Sequence, residues 1–82
     1  MSAQQNNLME ELANRDFIPV DEDHEAVVYE KKTSEGMESV TIFLQKNIAL
    51  HERWNKSGLM TSAFRYDTES RAEMFQLLKL VG

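Results

Sequence analysis

Eighty-two residues with no Cys, one Pro and three Gly fit one domain, and they exclude a disulfide-stapled scaffold and a thiolate zinc site. A net charge of −5 disfavours nucleic acid as a partner, because phosphate contacts supply most non-specific affinity. No apolar run approaches the ~18–20 residues of a membrane span, and the start lacks the basic and apolar regions of a signal peptide, so a cytoplasmic protein is expected.

The Gln/Asn-rich residues 1–7 either fray or start a helix. Leu8, Met9, Leu12 and Ala13 then form a narrow apolar stripe, predicting a helix from Gln4 to Asn14. Phe17-Ile18-Pro19-Val20 reads as an extended piece, at most an edge strand, because Pro cannot donate to a ladder. Asp21-Glu22-Asp23-His24-Glu25 reads as an acidic loop.

Ala26 to Thr33 is β-branched and aromatic, Ser34-Glu35-Gly36 is a turn, and Val40 to Leu44 is a second strand. A turn at Lys46-Asn47 leads to a third strand, Ile48 to Trp54. Asn55-Lys56-Ser57-Gly58 turns into a fourth, Leu59 to Tyr66. Asp67 or Thr68 is placed to cap a last amphipathic helix through its free N–H groups. With no tag and no broken element at either end, 1–82 is expected to be one whole domain. The fold class is α+β, a two-layer sandwich of a four-stranded antiparallel meander with N- and C-terminal helices on one face.

That arrangement leaves one sheet face open. Val40, Ile42, Leu44, Ile48, Leu50 and Trp54 are expected under the helices. The open side is expected to carry Phe43, His51, Arg53, Tyr29 and one face of the fourth strand. Aromatics and Arg dominate interface energetics. Phe43, His51, Arg53, Trp54, Arg65 and Tyr66 are therefore the candidate partner-binding residues.

No catalytic residue, cofactor or metal ligand is assigned. The run around His24 lacks the alternate ligands, Gly and terminal Glu of a calcium loop. His51 and Glu52 point to opposite faces of a strand, and no hydroxyl is selected by spacing to serve as a nucleophile. The turns are too Gly-poor to cradle phosphate.

Charge is uneven. Glu10, Glu11, Asp16, Asp21, Glu22, Asp23 and Glu25 stand against Arg15 alone in residues 1–25, whereas residues 26–66 are mildly basic. The expected function is a non-catalytic protein-interaction module acting through an exposed sheet face, with a homodimer as one form of it. The alternative is an acidic inhibitor or nucleic-acid mimic that occupies a basic cleft on another protein.

Overall fold

In the computed structural model, which describes residues 2–81, Ser2 opens the first helix, α1 (Ala3–Asn14). The Ser2 hydroxyl accepts from the Gln5 N–H and the Gln5 side chain accepts from the Ser2 N–H, a reciprocal capping box. Gln5 is itself buried, and its amide donates to the Leu44 carbonyl at 3.1 Å. The Gln-rich start is therefore tied to the backbone at Phe43 and Leu44.

The helix ends through backbone geometry. Phe17 N–H bonds to the Leu12 carbonyl and Asp16 N–H to the Ala13 carbonyl, both spanning the last turn. This Schellman closure needs a left-handed residue, and Asp16 supplies it at φ 70°. It folds Phe17 back beside Leu12, and both side chains enter the core.

The sheet has five strands where four were expected. β1 (Ile18–Glu22) pairs antiparallel with β2 (Ala26–Thr33), with a bulge between Pro19 and Asp21. The extended piece around Pro19 thus continues through Asp21 and Glu22, which pair with Val28 and Val27. β1 is exposed along its whole length, so no apolar alternation marks it. The acidic loop shrinks to Asp23–Glu25. There the Asp23 carboxylate accepts from the Glu25 and Ala26 N–H groups at 2.8 and 2.9 Å. The bonds from Ala26 and Glu25 hold the Asp23 carboxyl below its ordinary pKa.

The remaining strands follow as hairpins: β3 (Gly36–Phe43), β4 (Ile48–Asn55) and β5 (Met60–Asp67). Their spatial order is the chain order, β1-β2-β3-β4-β5, an antiparallel meander. α2 (Arg71–Leu80) closes the chain. Its N-cap is Ser70, which accepts from the Glu73 N–H, in place of the expected Asp67 or Thr68. Asp67 instead turns the chain one step earlier by accepting from the Glu69 N–H, and Thr68 is buried.

Both helices lie on one face, as expected. The core joins Leu8 and Leu12 of α1, Met74 and Leu77 of α2, and a single set of strand residues: Val27, Tyr29, Val40, Ile42, Ala49 and Tyr66. These are cross-strand neighbours, since Val27 pairs with Ile42, Tyr29 with Val40, Ile42 with Ala49 and Ala49 with Tyr66.

The register corrects the expected faces of β4. Residues directly opposite one another in a ladder share a face. Val40 is opposite His51, and Glu38 is opposite Arg53. His51 and Arg53 therefore lie on the helix side, while Ile48, Leu50 and Trp54 turn to the open side. Tyr29, expected on the open side, is in the core.

Candidate functional site

Two groups of side chains stand out, one on each face of the sheet. Under the helices, Glu38 Oε1 lies 2.7 Å from His51 Nε2, with both residues buried. Arg53 Nε approaches the same carboxylate oxygen at 3.6 Å, and Arg53 Nη2 donates to the Leu80 carbonyl at the end of α2. Lys31, the other cross-strand neighbour of Glu38, sits over the Phe17 ring at 5.7 Å. These bonds link β3, β4 and the C-terminus of α2, where cations satisfy free carbonyls. Among the described residues, no serine or threonine hydroxyl is hydrogen-bonded to His51. The arrangement ties α2 to the sheet through a buried Glu38–His51 bond and the half-exposed Arg53 beside it.

The open face is built from alternate residues of the central strands. Its rows follow from the register. Val28, Thr41, Leu50 and Arg65 form one row, and Ala26, Phe43 and Ile48 form the next. Beyond a polar row, Lys32, Met37, Trp54 and Met60 form another. Most of these apolar side chains are half-buried by their neighbours alone, because both helices are on the other face. Trp54, Met37, Lys32 and Lys56 line a shallow cleft of about 590 Å³ at the Gly36 end.

The polar row between them is Glu30, Ser39 and Glu52. Strands are ~4.8 Å apart, so the two glutamates stand about 10 Å apart across the buried Ser39. Neither carboxylate has an ion-pair partner among the described residues.

The candidate residues split between the faces. Phe43, Trp54 and Arg65 are on the open face. His51 and Tyr66 are buried on the helix side, only 2% and 8% exposed, and Arg53 is tied to α2. The expectation that His51, Arg53 and Phe43 share one surface does not hold. Leu50, Val28, Glu30 and Glu52 belong to the open face and were not singled out from the sequence. Their signal lies in the register of β2, β3 and β4, and a single strand does not carry it.

A second concavity, about 830 Å³, runs between α1 and α2, lined by Leu8, Glu10, Arg71, Phe75 and Leu78 among others. Among the described residues, no three side chains of metal-binding type converge, and no helix is long and apolar enough to cross a membrane. No protein-family model, no curated protein and no solved structure matches the chain.

Proposed function

We propose that this chain is a non-catalytic interaction module that docks a protein partner on the open face of its sheet. The observation that carries this reading is the one-sided covering of the sheet, which leaves Val28, Phe43, Ile48, Leu50 and Trp54 without a packing layer. A half-buried apolar face with a polar insert is how interfaces are composed. The partner it fits presents a Lys or Arg between two apolar side chains, the cation entering between Glu30 and Glu52. Two residues along a strand span about 6.7 Å and one helical turn about 5.4 Å, so an amphipathic helix laid along β3 presents one turn to the polar row and one to the apolar row on either side, drifting by about 1.3 Å per row.

The test is capture from the native host's lysate by the wild-type chain, Leu50→Glu and Phe75→Glu. Leu50 is on the open face, and Phe75 is an exposed residue of the helix layer. Loss of the captured protein with Leu50→Glu alone is the expected result, circular dichroism confirming both folds. Retention by Leu50→Glu overturns it.

A second reading, an acidic inhibitor or nucleic-acid mimic, is favoured by one feature. Asp21, Glu22, Asp23 and Glu25 are all exposed at one end of the β1–β2 edge. Binding through them is expected to weaken steeply with salt and to survive Leu50→Glu.

A further inference from the structure

The two edges of the sheet are unlike. β1 carries the features that stop edge-to-edge pairing: Pro19 without an N–H, a bulge beside it, and the carboxylates of Asp21 and Glu22. β5 carries fewer, its one bulge lying at Thr61, where the pairing with β4 shifts. From Ser62 to Asp67 its pairing with β4 is regular, it has no Pro, and Arg65 is its one charge before Asp67. Large apolar side chains stand exposed along it and in the turn before it, namely Leu59, Met60 and Phe64, with Phe64 56% exposed.

The outward backbone groups follow from the ladder. Thr68 N–H points inward to the Asn47 carbonyl. Alternation then turns Tyr66 and Phe64 toward β4, and Arg65 and Ala63 away from it. Asp67 N–H, also outward, is taken by the Glu73 carboxylate at 3.0 Å. The N–H and C=O groups of Ala63 and Arg65 are the available template.

We propose that β5 pairs antiparallel with β5 of a second copy of this chain about a twofold axis near Ala63–Phe64, making one continuous ten-stranded sheet. A twofold there centres the pairing on the uncharged residues Ala63 and Phe64. It places Arg65 opposite an uncharged residue of the other copy, Thr61 or Ala63, and brings the two exposed Phe64 rings together on the helix side. The acidic β1 edge is four strands away, about 19 Å, so the like-charged parts of the copies face outward. Because β1 is blocked, association through β5 closes at two copies and does not grow into a filament. The pairing leaves both open faces uncovered and does not depend on the function proposed for them.

The experiment is the sedimentation mass of the full chain over a wide concentration range, with amide hydrogen exchange by NMR on the same samples. A mass of twice 9.5 kDa is expected, with the Ala63 and Arg65 amides protected at least tenfold more at high than at low concentration. Two variants accompany it. Ala63→Pro removes an outward N–H that the monomer does not use, and Phe64→Lys places a charge at the axis without touching the backbone. Both are expected to return the mass to one copy, and Phe64→Lys keeps the test valid where Ala63→Pro does not fold. A single-copy mass at every concentration overturns the proposal. So does a dimer whose Ala63 and Arg65 amides stay unprotected, which sets the second copy elsewhere.

Discussion

Glu38 and His51, on neighbouring strands, are hydrogen-bonded at 2.7 Å with both side chains almost wholly removed from water. The bond spans the layer on which α2 rests. Its stability effect depends on which partner is lost. His51→Ala leaves the buried Glu38 side chain without its hydrogen-bond partner, the half-exposed Arg53 standing off at 3.6 Å. Leaving one buried polar partner unsatisfied in this way costs about 1–3 kcal/mol, whereas replacing both members by apolar groups of similar shape is nearly neutral. His51→Ala is therefore expected to lower the urea midpoint strongly. Glu38→Met with His51→Leu is expected to restore most of it. A double variant as unstable as the sum of its parts would remove the pair from the account.

The same pair explains where the sequence is and is not legible. The β2–β3 hairpin is readable because two β-branched and aromatic runs, Ala26–Tyr29 and Val40–Phe43, flank a Gly-containing turn. In β4, Ile48, Leu50 and Trp54 look like the core set, and Ala49, His51 and Arg53 look like the solvent set. The register reverses this, because Val40 and Ile42 bring His51 and Ala49 beneath the helices. What makes His51 acceptable there is Glu38, thirteen residues away, and what holds Arg53 is the Leu80 carbonyl. Neither partner is visible in β4 itself. β1 is faint for another reason: an edge strand exposed on both sides has no alternation to read.

Asp16 occupies the left-handed position that closes α1, at φ 70°. A Cβ in that region costs energy that Gly does not incur, and Asp relieves it only in part. Asp16→Gly is expected to raise stability by about 0.5–1 kcal/mol, the gain reduced by glycine's larger loss of freedom on folding. Thermal unfolding followed by circular dichroism measures it. A fall in Tm would show that the Asp16 carboxylate makes a contribution larger than the backbone strain.

Gly36 begins β3 at φ 149°, and a Cβ there would lie 2.0 Å from the Trp54 carbonyl oxygen. The obstacle is backbone of the neighbouring strand, so no side-chain rotation relieves it. Gly36→Ala is expected to destabilise by about 2 kcal/mol or more, since the conformation alone is costly for a residue with a side chain. It should also disturb the end of the sheet that carries Met37 and Trp54. A blue or red shift of Trp54 fluorescence in the folded variant would report that disturbance. An unchanged spectrum with unchanged stability would mean that the two strands separate there at little cost.

Tyr29 lies in the core, and burial raises its phenol pKa, with the Glu22 carboxylate adding to the rise. The sign of the consequence is fixed by linkage. Below the unfolded value of about 10, both states keep the proton and the packing of Tyr29 contributes in full. Above it, the unfolded chain releases the proton while the folded chain holds it, so stability falls as pH rises toward the folded value. Tyr29→Phe removes the titrating group and keeps the ring. The variant is expected to lose less stability than the wild type between pH 9 and pH 11, read from urea midpoints at each pH. Parallel curves for the two proteins would leave the Tyr29 phenol without a share in the alkaline loss.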